Sequence, residues 1–294
     1  MPQPQLKPAW ADGIGGCGSL TDPHFRALAQ LIETQVGIKI PPGKRFMLEG
    51  RLLKRVRALG LTDIRDYVDA LFEPSQFEHE LIHLIDAVTT NKTDFFREPA
   101  HFDFLRQTAV PELLNSRGGA LRSGALKVWS AAASMGMEAY TIAIVLDDMV
   151  RSGPRFDFRI LGTDISNPVL RIAETGIYST QALTPVPENL VKRYFLRSRN
   201  PARDECRVVP ELRRRVNFQR MNLMDSTYPV DRDVDIIFCR NVLIYFDKPT
   251  QRQVVTRLCS HLRPGGYLMV GHSESMVHSV VPGLKQVRPT IFTV

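Results

Sequence analysis

Four groups of side chains in this sequence have the types and spacing to do chemistry. The run Ile236-Ile237-Phe238-Cys239 is continuously apolar and ends at Arg240-Asn241, with Tyr245 following in an otherwise apolar loop. Such a run reads as a strand buried on both faces. In open α/β sheets, ligands bind beyond the carboxyl ends of strands, where Arg240 and Asn241 fall. The plainer reading is a core strand with polar residues at its end. The second group is a strand over 126–132, the small-residue turn Ala133-Ser134-Met135-Gly136, and Glu138 just inside the next helix. A turn of this kind lets a ligand approach the backbone, and Glu138 also suits a helix N-terminus for electrostatic reasons alone. The third is Asp164 at the end of a strand over 158–165, where a carboxylate can accept two ribose hydroxyls. The fourth is Thr89-Thr90-Asn91-Lys92-Thr93-Asp94-Phe95-Phe96-Arg97-Glu98-Pro99, denser in specific donors than a bland junction needs.

Other chemistries find less support. There is one glycine in the first turn, not G-x-G-x-x-G, and no P-loop lysine follows. No Ser-His-Asp or Cys-His arrangement stands out. His272 follows a strand in Gly271-His272-Ser273-Glu274, where a strand-end turn explains it nearly as well as a site does. His79, His83, His101 and His261 fall in helical patterns and read as surface residues. The four cysteines are widely spaced, with no C-x-x-C and no Cys/His ligand spacing, which argues against zinc and for a reducing compartment.

The elements that must position these groups follow from periodicity. From Asp22 to about residue 88 the pattern is helical, in four segments, with start signals at Thr21-Asp22-Pro23 and Thr62-Asp63. On the second helix Leu48, Leu52, Leu53, Val56 and Leu59 share one side, and Lys44, Arg51, Lys54 and Arg55 the other, with Arg57 at its edge. After Pro99 the period changes. Strands near 126, 158, 216, 234 and 267 alternate with helices, which argues a parallel sheet with right-handed crossovers. Residues 178–215 interrupt that rhythm and read as a small inserted subdomain, with a short strand at Val208-Val209. The end of the chain, 285–294, offers two short strands for an antiparallel hairpin.

Composition sets outer bounds. The 294 residues carry 44% hydrophobic and 23% charged side chains, ordinary for a globular protein. No apolar run approaches the ~18 residues of a membrane span. The first twenty residues lack a signal-peptide pattern. The net charge of +7 is concentrated: residues 41–60 carry six basic and one acidic residue, and 192–220 carry ten and three. Two cationic patches imply acidic partners at two places. A nucleic-acid methyltransferase would suit the charge. Base-methylating amino enzymes carry an Asn/Asp-Pro-Pro-Tyr turn where this chain has Arg240-Asn241-Val242-Leu243, and the patches lack interleaved aromatics.

Several motifs together resemble the chemotaxis receptor methyltransferase (CheR) family. They are Thr89-Thr90-Asn91-Lys92-Thr93-Asp94-Phe95-Phe96-Arg97-Glu98, residues 129–140, Thr163-Asp164-Ile165, residues 238–247, Arg263-Pro264-Gly265-Gly266 and Gly271-His272-Ser273-Glu274. The resemblance runs in order from about residue 20 to the C-terminus. Met137 and Ala139 stand where the family usually has Glu and Pro, which leaves open a cofactor-binding regulator without turnover.

The resemblance implies an S-adenosylmethionine-dependent methyltransferase that esterifies receptor glutamates and releases S-adenosylhomocysteine. The implied fold is α/β, a doubly wound Rossmann-like sheet with a small inserted β-subdomain, preceded by an all-α N-terminal domain. The boundaries expected are a disordered leader at 1–19, a receptor-docking helical domain at 20–88, a linker contributing to the cofactor site at 89–108, and a methyltransferase domain at 109–294 with its basic insertion at about 178–215. Asn91, Thr93, Arg97, Glu138, Asp164, Asn222, Leu223, Arg240 and Asn241 would line the cofactor site. Arg97 would orient the incoming carboxylate, and Tyr245 would donate a hydrogen bond near the transferring methyl. Lys44, Arg51, Lys54 and Arg55 would dock the receptor's cytoplasmic helices, and the insertion matches a subdomain that in some members grips the receptor's C-terminal tail peptide. A cytoplasmic monomer without metal, nucleic acid or membrane insertion is expected.

Overall fold

The computed structural model describes residues 18–116, 124–200, 202–274 and 283–294, in two compact units that divide between Thr89 and Thr90. Of the expected leader, only Gly18 and Ser19 fall among the described residues.

The first unit is all helical: α1 (Asp22–Val36), α2 (Arg45–Ala58), α3 (Ile64–Leu71) and α4 (Phe77–Val88). The start signals work as caps. Thr21 Oγ1 accepts the His24 N–H, and the Asp63 carboxylate accepts the Arg65 N–H at 2.8 Å. Residues three and four apart supply the core, with Leu28, Leu48, Leu52, Val56, Ile64 and Leu71 all fully buried. Each such side chain contributes roughly 1.5–3 kcal/mol of hydrophobic stabilisation.

The four basic residues expected on one face of α2 divide. Lys44 and Lys54 are exposed, as is Arg57. Arg51 donates to the carbonyls of Val88 and Thr89. Arg55 forks onto Glu80 of α4 through Nε at 2.9 Å and Nη2 at 2.5 Å. Glu80 is only 3% exposed, and a carboxylate that buried needs a charged partner. Two of the expected docking cations therefore hold helices together inside this unit.

The second unit opens with a segment read as linker, which is helical over half its length. Pro99 starts α5 (Ala100–Phe104), which runs through a π-helical turn at Leu105–Ala109 into α6 (Val110–Asn115). A proline that ends one helix is equally suited to begin the next, because the first amide has no partner within a helix. There follow β1 (Leu126–Ala131), α7 (Met137–Ser152), β2 (Phe158–Asp164), α8 (Asn167–Thr175), β3 (Ile177–Ser179), α9 (Glu188–Tyr194), β4 (Phe195–Arg197), β5 (Glu205–Val208), α10 (Pro210–Arg213), β6 (Val216–Arg220), β7 (Val234–Cys239), α11 (Lys248–Cys259), β8 (Leu262–Val270), β9 (Lys285–Arg288) and β10 (Ile291–Thr293).

The main sheet has the order β6-β2-β1-β7-β8-β10-β9. The first five strands are parallel, and β10 and β9 close one side as the expected antiparallel hairpin. The chain moves outward from β1 through β2 to β6, then returns to β7 on the other side of β1. That reversal is a topological switch point, and a ligand crevice is expected at the carboxyl ends of β1 and β7. The strand pattern follows from position. Every residue of β7 is buried, as a central parallel strand requires. Asp235, inside that run, is satisfied by the Lys127 N–H at 2.8 Å and Arg263 Nη1 at 3.1 Å. The insertion forms a separate three-stranded antiparallel sheet, β3-β5-β4.

Candidate cofactor site

At the end of β1 the backbone turns sharply through Ala132 (φ 61°), Ser134 (φ 51°) and Gly136 (φ 83°). Gly136 is required: a Cβ there would come within 2.7 Å of the Ala173 Cβ and 2.9 Å of the Phe218 ring. Glu138 sits in the first turn of α7, favoured by the helix N-terminus. Its Oε1 accepts from Ser130 Oγ at 2.7 Å, and its Oε2 from Arg240 Nη1 at 2.9 Å.

Arg240, the first residue after β7, is the hub. It is 6% exposed, and its guanidinium also donates to the Arg97 carbonyl at 2.5 Å and lies 3.0 Å from Glu98 Oε2. Phe102 stacks beneath it, 5.7 Å from ring centroid to guanidinium carbon. Glu98 in turn accepts from Asn241 Nδ2 at 3.2 Å and the His272 N–H at 3.4 Å. Burial alone would raise the Glu98 pKa. The Arg240 charge and these hydrogen bonds outweigh it and hold the carboxyl below its ordinary value.

The segment carrying Arg97 and Glu98 is fixed by its aromatic residues. Phe95 is fully buried, with its ring edge-on to Tyr178 at 5.1 Å and Phe195 at 5.4 Å. The Phe96 N–H donates to Thr141 Oγ1 of α7. Upstream, the Asn91 carbonyl accepts from Ser134 Oγ at 2.8 Å, which ties the segment to the turn after β1. Thr93 and Arg97 lie half-buried along it. Asp164, at the end of β2, accepts the Ser134 N–H at 2.8 Å and the Ser166 N–H at 3.0 Å. A carboxylate at a strand end is the kind of group that accepts a ribose diol. Beyond β6, Asn222 closes a turn by accepting the Met224 N–H at 3.0 Å, and Leu223 is buried beside it.

The loop after β7 has its own anchor. Glu274 accepts the backbone N–H groups of Asn241 at 2.9 Å, Gly271 at 2.6 Å and Ile244 at 3.3 Å. Burial raises its pKa against those bonds. Gly271 permits the approach, since a Cβ there would lie 2.5 Å from Asn241 Nδ2. Tyr245 ends the short 3-10 turn Leu243–Tyr245 on this loop and is half-buried.

Among the described residues, five of the seven non-glycine residues with positive φ lie here: Phe96, Glu98, Ala132, Ser134 and Asn241. Strained backbone concentrates where a site has to be preorganised. Sequence reasoning assigned no role to Glu98, Glu274, Ser130 or Ser134, although all four lie in the quoted motifs. The reading of His101 and His261 as surface residues is corrected. His101 is 1% exposed and bonds Thr290 through Nε2, and His261 is buried against Trp129 and Tyr228. Met137 and Ala139, the departures from the family pattern, are buried in α7.

The arrangement has a chemical preference. Arg240 with Glu98 and Glu138 leaves one uncompensated negative charge in a buried setting, which favours a ligand with a cationic centre. Asp164, across β1, suits a diol. The donor set therefore fits a ligand that pairs a cationic centre with a diol, as a sulfonium nucleoside does.

Comparison with known proteins agrees with this chemistry. Residues 91–290 match the family described as CheR methyltransferase, SAM binding domain, and residues 23–89 match CheR methyltransferase, all-alpha domain. The chain is 43% identical over 258 residues to the chemotaxis protein methyltransferase of Klebsiella aerogenes, covering 87% of this chain and 84% of that protein. It is 40% identical over 260 residues to that of Escherichia coli, covering 88% and 87%. The chain thus belongs to the CheR methyltransferase family, the S-adenosylmethionine-dependent methyltransferases of chemotaxis.

Proposed function

We propose that the chain methylates glutamate side chains on the cytoplasmic helices of chemotaxis receptors, forming methyl esters and leaving S-adenosylhomocysteine. It would act in the cytoplasm as a monomer. The observation that carries this reading is the buried Arg240 cluster at the switch point, in a chain about 40% identical to enzymes named for chemotaxis methylation. No helix among the described residues is long and apolar enough to cross a membrane.

S-adenosylmethionine, when bound, supplies an electrophilic methyl group on a sulfonium centre. Glu98, Glu138 and Arg240 would present the anionic wall to that cation, Asn241, Asn91, Thr93, Asn222 and Leu223 would line the rest of the cofactor site, and Asp164 would hold the ribose. A glutamate carboxylate is already ionised at neutral pH, with an ordinary pKa of about 4.3. It needs no general base. The chain's task is to bring the carboxylate into line and to exclude water. Arg97 orients the carboxylate by a forked contact, and Tyr245 hydrogen-bonds near the transferring methyl. The exposed cations of α2 meet the acidic receptor helices. The small β3-β5-β4 sheet, with β4 at one edge, is the place for a receptor tail peptide.

The test is transfer of labelled methyl groups to receptor-containing membranes, with nucleic acid as control substrate. The expected outcome is base-labile label on receptor glutamates. Label on nucleic acid, or none on either, overturns the proposal.

A further inference from the structure

Glu98, His101 and His272 offer one donor atom each, all within 4.8 Å of one another. The residues come from the loop before α5, from α5 itself and from the turn after β8, a spacing that no sequence pattern for metal ligands would flag. His101 Nδ1 lies 3.6 Å from Glu98 Oε2, and His272 Nε2 lies 3.9 Å from the same oxygen.

The protonation state of His101 follows from its partners. Thr290 Oγ1 gives its one proton to the Pro289 carbonyl at 2.6 Å, so it accepts from His101 Nε2–H at 2.8 Å. In the neutral ring, Nδ1 then holds a lone pair. That nitrogen is buried and has no hydrogen-bond partner among the described residues. In that tautomer a lone pair faces a carboxylate oxygen 3.6 Å away. Two acceptors so placed call for a Lewis acid.

We propose that Glu98, His101 and His272 form a binding site for Zn²⁺, and that the occupied site inhibits methyl transfer. Two imidazole nitrogens and one carboxylate oxygen are a zinc donor set, whereas Mg²⁺ and Ca²⁺ take oxygen ligands. Tetrahedral Zn²⁺ with bonds of about 2.0–2.2 Å needs its ligands roughly 3.3–3.5 Å apart, so shifts of a few tenths of an ångström at the two separations from Glu98 Oε2 begin to close the site. The His272 side chain is 62% exposed and gives the ion its entrance. The charged group facing the site is Arg240, which opposes a cation. Glu98 and Glu138 together outweigh it by one charge. The inhibitory half rests on the cofactor-site reading. Arg240 Nη2 lies 3.0 Å from the same Glu98 Oε2, so metal and guanidinium compete for one oxygen, and Arg240 loses a contact that sets its place.

The test uses the full chain with His79→Ala and His83→Ala, because His79, Glu80 and His83 form a second such group in the first unit. Zn²⁺ is titrated against a chromogenic chelator without S-adenosylmethionine, then added to a methyl-transfer assay, with Mg²⁺ as control. One saturable Zn²⁺ site is expected, weakened at least tenfold by His272→Ala, an exposed change compatible with folding. Methyl transfer should fall with Zn²⁺, recover with chelator, and lose its Zn²⁺ sensitivity in His272→Ala, each rate being referred to the same variant without metal. No saturable site, or one indifferent to His272→Ala, overturns the metal site. Zn²⁺ bound at this site with undiminished methyl transfer overturns the inhibition and separates Glu98 from the cofactor reading.

Discussion

Arg240 Nη2 lies 3.0 Å from Glu98 Oε2, across 142 residues of sequence, with the Glu98 backbone in the left-handed region at φ 57°. The pair joins the end of β7 to the loop that carries Arg97. The same guanidinium reaches Glu138 and the Arg97 carbonyl. Three different segments therefore depend on one planar donor.

Lysine keeps the charge of Arg240 but not the fork, and one ammonium cannot span Glu98, Glu138 and a carbonyl together. Arg240→Lys should weaken S-adenosylmethionine binding at least tenfold in calorimetry, about 1.4 kcal/mol. Affinity within twofold of wild type would show that the hub does not shape the site.

Glu274 gathers backbone N–H groups from two loops, those of Asn241, Ile244 and Gly271 among them, and reaches the expected ligand lining through the backbone of Asn241. Glutamine can accept at one oxygen only, and it turns its own amide donor toward an N–H. A buried donor left unsatisfied costs roughly 1–3 kcal/mol. Glu274→Gln should lower stability to denaturant by about 2 kcal/mol and raise the KM for S-adenosylmethionine. Glu274→Asp, which keeps the charge but is one methylene shorter, should fall between. Wild-type values for both variants would remove Glu274 from the positioning of this loop.

How far the sequence reaches is clear from these residues. The β7 run, Asp164 at the end of β2 and the turn before Glu138 were all legible, because period and strand ends are local properties. The helical caps at Thr21 and Asp63 were legible for the same reason. Glu98 and Glu274 were not, since their roles depend on contacts across 142 and 33 residues and, for Glu98, on a positive φ that glutamate rarely adopts. His101 misled because helical periodicity places a residue on a face without saying what packs there. Arg51 and Arg55 misled in the same way: their face of α2 is cationic, but α4 and the chain after it claim both side chains.

Asp164 and Tyr245 should fail differently. In Asp164→Asn, the amide nitrogen replaces an oxygen that accepts a backbone N–H, and the ribose loses a charged acceptor. Calorimetry should show S-adenosylmethionine affinity reduced about tenfold or more. Tyr245→Phe should leave that affinity within twofold and reduce the methylation rate of a receptor fragment by roughly tenfold to a hundredfold. An unchanged rate with cofactor bound would exclude Tyr245 from the methyl-transfer step.

The Arg55–Glu80 pair makes the first unit acid-sensitive. The Arg55 hydrogen bond, set against burial, holds the Glu80 carboxyl below its ordinary value. A depressed carboxyl pKa contributes stability above the unfolded value of about 4.3, and that contribution is lost as pH falls through the folded value. Glu80→Gln removes the titration and leaves Arg55 without its charge partner. At neutral pH it should cost about 2 kcal/mol in hydrogen-exchange protection of α2 and α4, with the gap to wild type closing below about pH 4. A gap that stays constant with pH would mean the pair contributes no linkage.

Exposed and internal cations of α2 should separate in a salt series. Lys44, Lys54 and Arg57 face solvent, whereas Arg51 and Arg55 are bound within the unit. Screening lengths fall from about 30 Å at 0.01 M salt to about 8 Å at 0.15 M, so electrostatic steering should weaken over that range. Changing Lys44, Lys54 and Arg57 together to Gln should slow receptor methylation severalfold at low salt and far less at 0.15 M or above, with helix protection unchanged. Changing Arg51 and Arg55 to Gln should instead lower the protection of α2 and α4 at every salt concentration, because it removes ties to α4 and to the chain following it. Equal losses of methylation at low and high salt from the exposed triple change would argue that the receptor reaches the enzyme without the cationic face of α2.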